Sequence, residues 1–160
     1  EIEKCVKEDR KLLILSDRRE HLKILNTHLN ELNISNGFYL GGMKQKDLKL
    51  SEDKQVMLAT FSMASEGFDC KELNTIILAS PKSSIEQAVG RILRQKKEDR
   101  KHIPMVIDII DNFSIFARQG DKRIKFYNKN KYTIENINMD PREQNKGNKD
   151  VGYQFNFDSD

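Results

Sequence analysis

The sequence lacks tryptophan and holds only two cysteines and three prolines among its 160 residues. Cys5 and Cys70 lie far apart and in no metal-ligand spacing, and His21, His28 and His102 form no ligand cluster. We therefore expect free thiols, a reducing intracellular compartment and no bound metal.

Long hydrophobic runs are also missing, because no apolar stretch approaches the roughly 20 residues that a membrane span needs. No signal peptide is visible, and the chain begins at Glu1, so we expect a piece of a longer protein without a membrane partner. Charged residues make up 33% of the chain, and the mean hydropathy is −0.71. The net charge of +3 is too small to indicate nucleic acid by itself.

The sequence also lacks a phosphate-binding P-loop. Gly37 and Gly42 have the right glycine spacing, but Met43-Lys44-Gln45 follows where the P-loop requires lysine and then serine or threonine. No acidic metal-binding box follows a predicted strand either. The sequence therefore lacks the parts that hold Mg²⁺ and a nucleotide triphosphate tail.

Short apolar runs alternate with helical patterns along most of the chain. The runs predict strands over 12–15, 34–40, 56–59, 75–79 and 105–109. Apolar residues three or four apart predict helices between the strands, one of them with Leu22, Leu25, Leu29 and Leu32 on its apolar face. Others are predicted over 2–8, near 62–65, from about 85 through Arg94, and over 114–127. We expect Ser16 or Asp17, and Ser83 or Ser84, to cap two of these helices.

This alternation predicts an α/β domain, a three-layer sandwich with a mainly parallel central sheet, over residues 1–135. From residue 136 onward polar residues dominate, and we expect a mobile tail over 136–160. Residues 153–157 alternate aromatic and polar side chains, so a strand docked on the sheet edge or on a partner stays open as an alternative.

Four polar segments follow predicted strands, where ligands bind in open parallel sheets. They are residues 16–19, 41–42, 60–69 and 81–94. Scattered surface polar residues would not produce this coincidence. Locally, however, each segment also fits an ordinary loop or a capped helix.

Two arginines on one predicted helix are the strongest candidates for chemistry. A spacing of three puts Arg91 and Arg94 on one helical face, and a planar guanidinium suits phosphate. Gly90 removes a side chain where something must approach the backbone, and Gln87 precedes it. The alternative is a solvated helix.

These residues resemble a known family. The order of Leu12-Leu-Ile-Leu-Ser-Asp17, Ala59-Thr60…Glu66-Gly67-Phe-Asp69 and Gln87-x-x-Gly90-Arg91-x-x-Arg94 is similar to motifs IV, V and VI of superfamily 2 helicases. The resemblance covers residues 11–110 and implies the second, C-terminal RecA-like domain, a fold related to the P-loop NTPases. DEAD-box proteins usually have histidine and arginine at the positions of Gln87 and Ala88. Motif VI is therefore more similar to that of DNA-translocating members than to that of DEAD-box proteins. The stretch 39–46 and the segment 113–127 are similar to poxvirus transcript-release helicases and their relatives in other large DNA viruses.

The resemblance implies an ATP-dependent DNA helicase or translocase. ATP with Mg²⁺ would bind between this domain and an N-terminal RecA-like domain of the same protein. The implied catalytic residues are Arg94 as the arginine finger, Arg91 and Gln87, with Gly67, Asp69 and Gly90 completing the nucleotide contacts. The implied contacts to the nucleic-acid strand, expected to be DNA, are Ser16, Arg18, Gly41, Gly42 and Thr60.

The biological setting implied is viral transcription, replication or repair, with transcription machinery as a further partner and a viral factory or virion in the cytoplasm as the location. The isolated piece is expected to hydrolyse no ATP. A degenerate, non-catalytic helicase domain that serves as an interaction module is the alternative. A basic segment from Arg118 to Lys131, with Phe126, Tyr127 and Tyr132 among its cations, is either a further nucleic-acid surface or a solvated amphipathic helix.

Overall fold

The computed structural model describes residues 1–65, 68, 70–111, 113–137 and 153–156. A sheet of seven strands has the order β2-β3-β1-β4-β5-β7-β6. The first five strands in this order are parallel, and β7 is antiparallel to both of its neighbours. The strands are β1 Leu12–Leu15, β2 Asn36–Tyr39, β3 Val56–Ala59, β4 Thr75–Leu78, β5 Met105–Asp108, β6 Thr133–Glu135 and β7 Tyr153–Asn156.

Helices cover both faces of this sheet, as in other α/β domains built on parallel strands. They are α1 Ile2–Lys7, α2 Arg19–Glu31, α3 Gln45–Glu52, α4 Phe61–Ser65, α5 Glu86–Ile92 and α6 Ser114–Lys129, with a 3₁₀ turn at Lys97–Asp99. Buried residues of α1 and α2 form one hydrophobic cluster with one side of the strands. Buried residues of α3, α4, α5 and α6 form the second cluster with the other side. The predicted three-layer α/β architecture is confirmed.

The central strands are buried on both faces, which explains their continuous apolar sequences. All four residues of β1, β3 and β4 are buried. Alternating apolar and polar residues would have left one face in water, so the unbroken runs are what indicated a parallel sheet. The sequences of β1, β3 and β4 were therefore enough to indicate a buried parallel sheet.

Several boundaries differ from the predictions. Arg18, not Ser16 or Asp17, is the N-cap of α2, and Ile85, not Ser83 or Ser84, is the N-cap of α5; neither helix has a side-chain cap bond. Leu32 was expected on the apolar face of α2, but it follows the last helical residue and is 52% exposed. The sequence pattern did not predict α3 or β6.

The helix that carries Arg91 is shorter than expected. It ends at Ile92, so Arg94 lies beyond it and the two arginines do not share one helical face. Arg100 explains part of this ending, because its guanidinium donates to the carbonyl oxygens of Leu93 (3.3 Å) and Gln95 (2.9 Å). A side chain that binds these oxygens replaces the bonds that a continuing helix would supply.

Residues 153–156 form a strand between β5 and β6. Its pairing joins Gln154 to Ile107 and Phe155 to Ile134. These four residues therefore adopt the alternative of a docked strand, although β6 and not β7 forms the edge of the sheet. The domain boundary at residue 136 and the mobility of 136–160 stay predictions, and residues 138–152 and 157–160 lie outside the described part of the chain.

Candidate nucleotide and nucleic-acid site

The parallel register brings the ends of the strands to one edge of the sheet. Leu15 pairs in register with Ala59 and with Leu78, Tyr39 with Ala59, and Leu78 with Asp108. The residues that follow these positions begin the segments 16–19, 41–42, 60–69 and 81–94. The structure thus places the four predicted segments along the carboxyl edge.

After β1, the serine is buried and the arginine is exposed. Ser16 has no exposed surface, and its hydroxyl accepts a hydrogen bond from the Arg18 N–H (3.2 Å) and contacts His21 Nδ1 (3.2 Å). This burial is at odds with a direct phosphate contact by the Ser16 side chain in this conformation. Ser16 instead shapes the loop that presents Arg18 to solvent.

After β2, two glycines form a turn. Gly42 has a φ of +89°, a left-handed conformation that side chains other than glycine rarely adopt. The carbonyl oxygen of Gly41 accepts a hydrogen bond from Arg19 Nη2 at 2.9 Å, which joins this turn to the start of α2. Arg19 lies in the predicted segment 16–19, but it was not among the predicted site residues.

After β3, Thr60 is partly exposed and its hydroxyl lies 3.1 Å from that of Ser62. Thr60 directly precedes α4, so its side chain lies at the amino end of that helix. The remaining residues predicted here, Gly67 and Asp69, lie outside the described residues.

The loops after β1 and β4 are joined by two contacts that sequence reasoning did not find. Lys82 Nζ lies 3.0 Å from Asp17 Oδ2, and Ser80 Oγ accepts a hydrogen bond from the Asp17 N–H at 3.0 Å. Lys82 Nζ also lies 5.3 Å from the centroid of the Phe61 ring. These contacts therefore connect the loop after β1, the loop after β4 and the start of α4 at the carboxyl edge.

Arg91 is held by main-chain oxygens at the end of α4. Its Nε donates to Ala64 O (3.1 Å), Nη1 to Phe68 O (2.8 Å) and Nη2 to Ser65 O (3.0 Å). These carbonyls include the last of α4, which have no partner within the helix. The guanidinium therefore fastens α5 to the segment 60–69.

Arg94, which follows the end of α5, contacts one of the same main-chain oxygens as Arg91. Its Nη1 lies 3.4 Å from Phe68 O, the oxygen that Arg91 also contacts, and its side chain is exposed. Gln87 and Gly90 are exposed on α5, and a Cβ built at Gly90 would have no atom within 4 Å. Motifs V and VI of the resemblance are thus physically joined through the two arginines.

A buried ionic cluster lies at the carboxyl end of β5. Arg123 Nε donates to Asp108 Oδ2 at 2.8 Å, and the Tyr127 hydroxyl donates to the same oxygen at 3.0 Å. Arg123 also donates to the carbonyl oxygen of Lys82. Burial, reinforced by the Asp108 carboxylate, raises the pKa of Tyr127. The cluster ties α6 and β5 to the loop that leads into α5.

The basic segment is an amphipathic helix whose aromatic rings face inward. Tyr127 is buried, and Phe126 and Tyr132 pack against it with ring centroids 5.7 Å and 6.3 Å away. The idea that these three rings join the cations on a binding surface is therefore wrong. The cations themselves lie on the opposite, exposed face, with the exception of Arg123.

Both cysteines are free, as predicted. Both are also buried, and burial raises the pKa of each thiol. Within the described residues, no cluster of three or more His, Cys, Asp or Glu could hold a metal ion. None of the helices in that part of the chain has the length and apolar character needed to cross a bilayer.

The comparisons with known proteins agree with this geometry. The family model described as the helicase conserved C-terminal domain matches residues 1–96. Because this match covers more than half of the 160 residues, the chain belongs to the helicase conserved C-terminal domain family.

Particular relatives come from large DNA viruses, as the resemblance implied. The chain is 43% identical over 128 residues to "Putative ATP-dependent RNA helicase L396" of Acanthamoeba polyphaga mimivirus, covering 78% of this chain and 24% of that protein. It is 32% identical over 95 residues to "Putative ATP-dependent RNA helicase QP509L" of African swine fever virus, covering 59% of this chain and 18% of that protein. The chain thus spans about a quarter or less of the length of these relatives.

Solved structures confirm the fold. The C-terminal part of the Fun30 ATPase domain superposes with a TM-score of 0.61 at 19% identity, covering 74% of this chain and 40% of that one. The C-terminal domain of the DEAD-box protein Dbp5 superposes with a TM-score of 0.58 at 12% identity, covering 75% and 69%. The predicted RecA-like helicase C-terminal fold is confirmed.

Proposed function

We propose that this chain is the second motor domain of an ATP-dependent nucleic-acid translocase and that it completes an ATP site begun by a P-loop domain of the same protein. The observation that carries the proposal is the convergence of Arg91 and Arg94 on Phe68 O. This contact couples the phosphate-directed arginines to the segment 60–69 at the carboxyl edge.

The two arginines divide the work in this proposal. The Arg91 guanidinium donates hydrogen bonds to three main-chain oxygens, and in this proposal Arg91 is a positioning residue for the segment 60–69. Arg94 is exposed and beyond the helix, so it is the side chain that turns to the γ-phosphate when the two domains close. Gln87 and Gly90 line the approach, and Gly67 and Asp69 complete the link to the nucleotide.

The nucleic-acid track lies along the carboxyl edge. Arg18, the main chain at Gly41 and Gly42, and Thr60 contact the phosphates of one strand, while Ser16 supports the loop that carries Arg18. Contacts of this kind hold a strand without reading its sequence, which suits a motor. In this proposal Mg²⁺ is held mainly by the P-loop domain of the same protein.

DNA is the proposed track, on the strength of Gln87 and Ala88 in motif VI. RNA is the second candidate, because the printed names of the mimivirus and African swine fever virus relatives specify RNA. These viral relatives also support a setting in viral transcription, replication or repair. Strand-displacement assays of the complete protein on matched DNA and RNA duplexes distinguish the two tracks.

Replacing Arg94 in the complete protein tests the motor assignment. We expect Arg94→Ala to lower the nucleic-acid-stimulated kcat for ATP by about 10³-fold or more, the range of an arginine finger, while ATP binding is kept. Lys97→Ala, an exposed cation three residues away, is the matched control and should hydrolyse ATP normally.

Two results would contradict the assignment. One is an Arg94→Ala protein that turns over ATP like the Lys97→Ala control. The other is robust ATP hydrolysis by the 160-residue chain alone, which would show that the chain holds a complete site.

A further inference from the structure

The exposed face of α6 carries a straight row of cations. Arg118, Lys122, Lys125 and Lys129 are separated by four, three and four residues, and all four are exposed. This spacing places them on one narrow face of the helix. The row extends about 16 Å along the helix axis.

The opposite face of α6 packs against the core. Arg123 and Tyr127 are buried, and Phe126 packs against the core cluster. None of the four cations in the row has an acidic partner within 4 Å among the described residues. The positive charge is therefore uncompensated over the described part of the surface, apart from the neighbouring Asp121.

An aromatic ring lies at the amino end of the same helix. Phe113 is 77% exposed and is the N-cap residue of α6. Its backbone N–H donates to Asp111 Oδ1 at 3.0 Å, which fixes the turn that holds the ring outward. Ile109 and Ile115 beside it are 56% and 57% exposed.

The segment that carries this ring follows the carboxyl end of β5, on the same edge of the sheet as the proposed nucleic-acid track. Phe113 follows β5, which is two strands from β1 in the sheet order, so the two strand ends lie about 10 Å apart. An exposed aromatic ring next to a groove or row of cations is how proteins bind single strands without sequence preference. Each phosphate contact then contributes salt-dependent affinity.

We propose that Phe113 and the row Arg118, Lys122, Lys125 and Lys129 form a second nucleic-acid surface that receives the strand leaving the carboxyl edge. A base stacks on Phe113, and the phosphates beyond it follow α6. The inference rests on the proposed function for the position of the strand. It adds a contact surface outside residues 1–96, the part that matches the family model.

The absence of tryptophan provides a direct test of stacking. Phe113→Trp introduces the single tryptophan of the chain, and Leu50→Trp, at a 53% exposed position on α3, is the matched control. Titration with oligo(dT) of about 20 nucleotides at about 20 mM salt should quench the emission of Trp at position 113 and leave the control unchanged. Unchanged emission at position 113 under saturating oligo(dT) would overturn the proposal.

Neutralising the row tests the phosphate contacts. The variant with Arg118→Gln, Lys122→Gln, Lys125→Gln and Lys129→Gln should bind oligo(dT) about tenfold or more weakly, with a salt slope lower by up to about 3. A control variant removes four other exposed lysines, Lys4, Lys7, Lys49 and Lys54, each to Gln, at the same cost in net charge. Circular dichroism is used to check that both variants are folded.

The outcomes separate this proposal from the function on which it rests. Equal affinities of the two neutralised variants, or tighter binding of poly-glutamate than of oligo(dT), would overturn the α6 surface. If Arg18→Gln combined with Thr60→Val abolishes binding while the α6 variant binds normally, the α6 surface is overturned and the carboxyl-edge track stands. If the α6 variant alone loses binding, the surface is supported even where the Arg94 test fails.

Discussion

Gly90 is a helical glycine with empty space where its side chain would be. It lies inside α5, and a Cβ there would meet no atom within 4 Å. A glycine inside a helix is less stable than alanine, and nothing within the described residues requires it. The proposed requirement comes from outside the domain, where nucleotide or the P-loop domain approaches the helix when the cleft closes.

Gly90→Ala should therefore make the domain more stable and the motor slower. We expect the free energy of unfolding of the 160-residue chain to rise by about 0.5 to 1 kcal/mol, measured by thermal and urea denaturation. In the complete protein the same change should lower kcat/KM for ATP. A more stable variant with an unchanged ATPase rate would show that no close approach occurs at Gly90.

Gly120 offers the opposite control on α6. A Cβ at Gly120 would lie 2.8 Å from Ile110 Cγ2, closer than a real Cβ contact, so Gly120→Ala forces Ile110 or the helix to move. Gly90→Ala should therefore stabilise the chain, whereas Gly120→Ala should destabilise it.

At the scale of elements, α6 is attached to the sheet by charge as well as by apolar packing. The side chains of Arg123 and Asp108 are 1% and 0% exposed, and their ion pair also places Arg123 against the Lys82 carbonyl. Breaking a buried pair by removing one partner leaves an uncompensated charge in a medium of low polarity. The attachment of α6 therefore depends on both partners at once.

We expect Arg123→Met to lower the free energy of unfolding by about 3 to 5 kcal/mol, measured by urea denaturation of the 160-residue chain. Combining Arg123→Met with Asp108→Leu should recover a large part of that loss, because no lone charge stays buried. Lys82→Gln removes an exposed ion pair between neighbouring loops and should cost less than about 1 kcal/mol. If Arg123→Met lowers the free energy of unfolding by less than about 1 kcal/mol, no uncompensated charge stays buried at Asp108 and the ion pair does not attach α6 as described.

The elements that sequence reasoning found and missed differ in one physical respect. The strand 12–15 is a continuous apolar run in the sequence, and the alternation of such runs with helices was enough to predict the sheet. Helix α3 buries only Leu48 and Ser51, so it carries almost no apolar periodicity. The contacts of Arg91 and Arg123 join segments more than 14 residues apart, and no local pattern encodes such pairings.

At the scale of the whole molecule, the family match and the folded core do not end at the same residue. The match ends at residue 96, before β5 and α6. Met105, Val106, Asp108, Arg123 and Tyr127 lie beyond that point and are all buried. Strand β5 also covers the edge of β4, whose residues are fully enclosed by their neighbours.

A chain cut after residue 96 should therefore fail to fold cooperatively. It loses the strand that pairs with β4 and the Tyr127 side chain that completes one core cluster, and it exposes Ile76 and Leu78 at an unpaired edge. A chain cut after residue 137 keeps those elements and loses β7 from the described sheet, and with β7 it loses the strand on which β6 pairs. Because β5 and α6 remain, we expect it to unfold in one cooperative transition. Circular dichroism during thermal unfolding compares the two, and a cooperative transition in the shorter chain would mean that β5 and α6 are an accessory to the motor domain and not part of its core.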